Sequence, residues 1–147
     1  MVYNIQPTTF VASVAREVKQ HFLSLGNEPH SHVRGRLAQF WWGNVSTVHY
    51  ELWLHERELQ IEMGLHFEAS VQRNKELYAA FSRRLLEIQH ELGDSIWLEE
   101  WDRGWTRIYE TQPLMPMDEA RVYATAVRLC EIMKCLQPIL DSLVVDE

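Results

Sequence analysis

One segment constrains this chain more than any other. Val48, Tyr50, Leu52 and Leu54 alternate with His49, Glu51, Trp53 and His55. A charged turn follows, Glu56-Arg57-Glu58. The alternation then resumes, with Leu59, Ile61, Met63, Leu65 and Phe67 set against Gln60, Glu62, Gly64, His66 and Glu68. A period of two marks a strand with one apolar and one polar face, and two such runs around a short turn predict a β-hairpin. The register follows as well. Pairing Leu54 with Ile61 also sets Leu52 beside Met63 and Tyr50 beside Leu65. A slip of one residue would put apolar side chains opposite polar ones along the whole ladder.

The remaining segments supply helices and a second hairpin. Residues 8–25 carry Val11, Val14, Val18, Phe22 and Leu25 at helical spacing, with Thr8 or Thr9 as a cap and Gly26 as a stop. Residues 27–32 read as a polar loop and residues 33–42 as one strand. Residues 70–92 read as a helix with Leu77, Phe81, Leu85, Ile88 and Leu92 on its stripe. A hairpin follows, residues 96–101 and 105–110 around Asp102-Arg103-Gly104; a three-residue loop ending in Gly suits a bulged turn. It pairs Trp101 with Trp105, Glu99 with Arg107 and Trp97 with Tyr109. Asp118 then caps a third helix, which Pro138 ends or kinks, and residues 139–145 are apolar enough to dock. With no repeat, low-complexity run or linker, residues 1–147 form a single domain. The fold class is α+β: an antiparallel sheet of about five strands in the order helix-strand-strand-strand-helix-strand-strand-helix, with helices mainly on one face.

Charge narrows the function. The 147 residues hold 21 acids against 14 bases, a formal net charge of -7. Nucleic acid and anionic membranes both demand a basic footprint, so neither is expected as a partner. No apolar run approaches the length of a membrane span. The start, MVYNIQPTTF, lacks the basic and apolar regions of a secretory signal, which points to a cytoplasmic protein. Cys130 and Cys135 fall about 140° apart around one helix. They cannot bond to each other or share a metal, and read as buried thiols in a reducing compartment.

Two constellations stand out. The polar face of the first hairpin sets His49 opposite His66, Glu51 opposite Gly64 and Glu62 opposite Trp53. His49, Glu51, Glu62 and His66 form a candidate metal site, with Gly64 leaving room beside Glu51. The second hairpin puts Trp97, Trp101, Trp105 and Tyr109 on one face, with Glu99 and Arg107 between them. Its other face is also apolar, through Ile96, Leu98 and Ile108. One helical layer covers only one face of a sheet, so this aromatic face predicts an interface. The sequence contains no GxSxG elbow and no glycine-rich phosphate loop.

The succession of elements, the acidity and the size resemble the type III secretion chaperone-like fold. That resemblance implies a homodimer that binds an extended protein segment; no motif accompanies it, so no residue role carries over. The first elements also look like the core of restriction-endonuclease-like nucleases, which place an acid on one strand and acid-x-Lys on the next to hold Mg²⁺. Here Glu51 and Glu62 sit on neighbouring strands, but Met63-Gly64 follows Glu62, and Lys19, Lys75 and Lys134 all fall on predicted helices. The expectation is therefore a small, acidic, non-catalytic binding protein without a cofactor. It is expected to be a homodimer through Trp97, Glu99, Trp101, Trp105, Arg107 and Tyr109, chaperone-like toward a peptide or protein. The alternative is a metal-dependent hydrolase or nuclease using His49, Glu51, Glu62 and His66.

Overall fold

The computed structural model describes residues 4–144. Helix α1 (Pro7–Ser24) starts with a proline at its first helical position, where the missing amide costs nothing. Its cap is therefore Gln6, which makes no side-chain capping bond, and Thr8 and Thr9 lie inside the first turn rather than capping it. The end is the expected one. Gly26, at φ +71°, donates to Leu23 O, and Asn27 donates to Phe22 O, each at 2.9 Å.

The next stretch differs from expectation. Residues 33–42 are not one strand. They are the end of β1 (His30–Arg34) and the whole of β2 (Leu37–Trp41), folded back at Gly35-Arg36 with Gly35 at φ +58°. His30 to His32, read as loop, begin β1. The strand hid because nearly every residue of β1 is exposed, so no alternation marks it.

Strands β3 (Val48–His55) and β4 (Gln60–Phe67) pair in the expected register, Leu54 with Ile61, Leu52 with Met63 and Tyr50 with Leu65. The expected single helix over 70–92 is two, α2 (Val71–Arg83) and α3 (Leu85–Leu92). They break at Arg84, whose φ/ψ of -110°/9° is not helical. Ser70 caps α2 by accepting from the Arg73 amide at 3.1 Å. Strands β5 (Trp97–Glu100) and β6 (Thr106–Pro113) form the second hairpin, pairing Glu99 with Arg107 and Trp97 with Tyr109. Trp101 donates to Trp105 O at 2.7 Å across its turn. Asp118 Oδ1 accepts from the Arg121 amide at 2.8 Å, capping α4 (Glu119–Val144). Pro138 does not end α4, because Ile139 and Leu140 beyond it are buried and hold the last turns against the core. The docking expected of residues 139–145 is met by these two; Val145 lies outside the described residues.

The fold is thus α+β, with a six-stranded antiparallel sheet rather than a five-stranded one, in the order β1-β2-β3-β4-β6-β5. Among the described residues the helices lie on one face. Phe22 of α1 reaches Tyr50 through Trp42, with ring centroids 5.1 and 6.1 Å apart. Phe81 of α2 stacks on Phe67 at 5.3 Å, and Gln137 of α4 accepts from Tyr50 Oη at 2.9 Å. A buried ion pair stitches this side together. Arg128 of α4 donates to Glu110 of β6 at 2.6 and 2.9 Å, and also to the Leu92 carbonyl at the end of α3. No helix among the described residues is long and apolar enough to cross a membrane.

Candidate functional site

The sheet's second face carries the site. Alternation places Gln39, His49, Glu51, Trp53, Glu62, Gly64, His66, Glu68, Arg107, Tyr109, Glu99 and Trp97 on it together. Register then sets them in rows. One row runs His49, His66, Arg107, Glu99 across four strands; the next runs Gln39, Glu51, Gly64, Tyr109, Trp97 across five.

A face without a covering layer would ordinarily be solvated. Here His49, Glu51, Glu62 and His66 are buried, with 4% exposure or less. His66 is covered by a ring from the same face, and His49 stacks on His66 with centroids 5.7 Å apart. Trp101 stands edge-on to His66 with centroids 5.6 Å apart, and lies 6.3 Å from Trp53 and 6.1 Å from Trp105. The Arg107 guanidinium sits 4.8 Å from the Trp101 ring centre and 4.0 Å from that of Tyr109, so a cation–π sandwich closes the edge.

Beneath the rings the polar groups are paired. Arg107 donates to Glu62 at 2.5 Å and to Glu99 at 2.6 Å, and Tyr109 Oη donates to Glu99 at 2.9 Å. His66 Nε2 meets Glu62 at 2.6 Å and Glu51 at 3.4 Å, while its Nδ1 meets Glu68 at 3.1 Å. Burial would push His66 down. The hydrogen bonds to Glu62 and Glu68 and the charges of Glu51 and Glu62 win, and lift it to about 9. It is an imidazolium at neutral pH, donating from both nitrogens. Burial would raise Glu51 and Glu62, but their histidine partners, with Arg107 beside Glu62, hold both below the ordinary carboxylate value.

His49 is held differently. Its Nδ1 faces the Ser46 carbonyl at 2.8 Å, and a carbonyl only accepts, so Nδ1 carries the hydrogen. Its Nε2 faces Glu51 at 3.2 Å and Glu68 at 3.9 Å, and the Gln39 amide lies 3.3 Å away.

The structure brings the expected residues of both constellations onto this one face and joins them, since Arg107 of the aromatic group grips Glu62 of the polar group. Two expectations change. His49, Glu51, His66 and Glu68 offer donor atoms all within 4.8 Å of one another; Glu62 is not in that set, because Arg107, His55 and His66 occupy its oxygens. Gly64 does not leave open space beside Glu51. A Cβ there would lie 2.3 Å from Ile108 O and 2.5 Å from Tyr109 Cβ, so the missing side chain lets β6 come close. Sequence reasoning missed Glu68 as a partner of the cluster, although it follows the same alternation one step beyond His66. It missed Gln39 because residues 33–42 were read as one strand with blurred alternation. Of the tryptophans, Trp97 stays 58% exposed, while Trp101 and Trp105 are half-buried.

No family model, curated protein or solved structure matches the chain. The chaperone-like resemblance therefore rests on the size, the acidity and the expected order of elements, from which the observed chain departs by a fourth strand before α2 and by the division of that helix into α2 and α3.

Proposed function

We propose that this chain is a non-catalytic binding protein whose uncovered sheet face is its interface, and that the first occupant of that face is a second copy. The observation that carries this reading is the one-sided arrangement of the described helices, which leaves the other face of a six-stranded sheet with an exposed Trp97. Aromatic rings beside an arginine are the composition of interface hot spots. The rim carries both signs, with Glu99 beside Arg107 and Arg103 stacked 5.7 Å from Trp105. A face of mixed charge can meet its own copy across a two-fold axis without like-charge repulsion. A peptide or protein client, as the chaperone-like resemblance implies, is the second expected occupant. Two buried free thiols fit a reducing compartment, and the proposed location is the cytoplasm.

A hydrolase is a poorer use of this face. Metal-assisted hydrolysis needs an open coordination position and a path for substrate. His66 and Glu62 are at most 1% exposed, and each is engaged by neighbours.

Trp97 is the residue to test, because the contacts of Trp101 lie within the chain. The helical side offers a rival surface at Tyr123, which is 66% exposed. Dilution calorimetry of the native chain, Trp97→Ala and Tyr123→Ala separates them. Loss of the dissociation heat in Trp97→Ala alone supports the reading; loss in Tyr123→Ala alone moves the interface to α4 and refutes it.

A further inference from the structure

We propose that His49, Glu51, His66 and Glu68 hold one divalent first-row transition-metal ion of the zinc class, on the sheet face beside Trp101. The argument is independent of the interface reading, since it uses the covered interior of the face and not Trp97.

The donors are of the right kind and number. Two imidazole nitrogens and two carboxylates suit zinc and its neighbours rather than magnesium or calcium, which prefer oxygen alone. The four donor atoms all lie within 4.8 Å of one another, close enough for small side-chain shifts to bring them onto one ion. A tetrahedral ion with bonds of about 2.0–2.1 Å separates its donors by about 3.3 Å. Here His49 Nε2 lies 3.2 Å from Glu51 and 3.9 Å from Glu68, and His66 Nδ1 lies 3.1 Å from Glu68.

The supporting groups are also in place. A ligating histidine almost always donates its other N–H to a carbonyl or carboxylate, which fixes the ring. The Ser46 carbonyl does this for His49 at 2.8 Å, leaving Nε2 toward the carboxylates. Glu62 does it for His66 at 2.6 Å on Nε2, and the ion takes the place of the proton that Nδ1 otherwise holds toward Glu68, releasing it to solvent. Glu62 is in turn anchored by Arg107. That explains why Glu62 stands beside the donor set and not in it.

Four protein donors in a covered position make a closed site. Such an ion braces structure and offers no position for substrate. It would tie the start of β3 to the end of β4, beneath Trp101.

The test uses the full chain stripped with a chelator. Zn²⁺ is titrated in by calorimetry and counted by elemental mass spectrometry. The expected result is one ion per chain with a raised thermal midpoint. Glu68→Gln is expected to weaken binding at least about tenfold. A control, His30→Ala with His32→Ala on the exposed β1, is expected to bind as the native chain does. Co²⁺ in the native chain gives a readout that needs no variant to fold: the strong visible bands of a four-coordinate ion are expected. Absence of stoichiometric Zn²⁺, binding lost in the His30/His32 control, binding unchanged in Glu68→Gln, or the weak bands of a six-coordinate ion would each overturn the proposal.

Discussion

Replacing Arg107 with methionine asks what holds the charged cluster together. Arg107 is the permanent cation on Glu62, whose side chain is 2% exposed. Removing one partner of a buried ion pair costs about 3–5 kcal/mol, because the other charge is left uncompensated. Glu62 would keep His66 at 2.6 Å and His55 at 3.1 Å, which places the expected loss at the low end, about 3 kcal/mol. Methionine still packs on Trp101 and Tyr109, so the lost cation–π attraction adds only about 0.5–1 kcal/mol. For a chain of this size the total of about 3.5–4 kcal/mol corresponds to a thermal midpoint roughly 7–16 °C lower. Urea denaturation followed by far-ultraviolet circular dichroism reads the change, in chelator and at low protein concentration so that neither metal nor association contributes. The double variant Arg107→Met with Glu62→Gln removes both charges, and should recover about 2 kcal/mol of the loss. A single-variant cost below about 1 kcal/mol, or strict additivity in the double variant, would refute this account of the cluster.

Two other perturbations have clear signs. Gly64→Ala forces a Cβ to within 2.3 Å of Ile108 O, a backbone atom that cannot step aside. The strands must separate, and a loss of at least about 3 kcal/mol in urea denaturation is expected; a loss below about 1 kcal/mol would show that the close approach is not required. Burial pushes the Cys130 thiol up to about 11 and, with Glu91 beside it, the Cys135 thiol up to about 12. At pH 8 the thiolate fractions are about one in a thousand and one in ten thousand, so an aromatic disulfide reagent should label neither quickly until urea is added. Rapid labelling of the native chain would contradict the buried positions.

How much of this was legible depended on whether a side chain met the core. The first hairpin was readable to the residue, because β3 and β4 each bury one face and a one-residue slip would be costly. The second hairpin was readable because its turn chemistry is specific, with Arg103 and Gly104 both at positive φ. β1 was not readable. Its residues are exposed, so selection for burial left no pattern, and the turn at Gly35 was the only signal. The break at Arg84 was hidden because the apolar stripe continues across it from Phe81 to Leu85 and Ile88. In the site, the placement of His49, Glu51, Glu62 and His66 followed from register alone. The burial of His66 did not, because Trp101 packs on it from another hairpin, a long-range contact that no local pattern encodes. The pairing of Glu62 with Arg107 was hidden for the same reason, since Arg107 comes from a strand 45 residues away.

The central claim is that the sheet face without helices is occupied by a second copy. Sedimentation equilibrium of the native chain at high micromolar concentration tests it most directly. The account predicts a mass twice the 17.4 kDa of one chain, falling toward one chain on dilution. A mass of one chain throughout that range would contradict it.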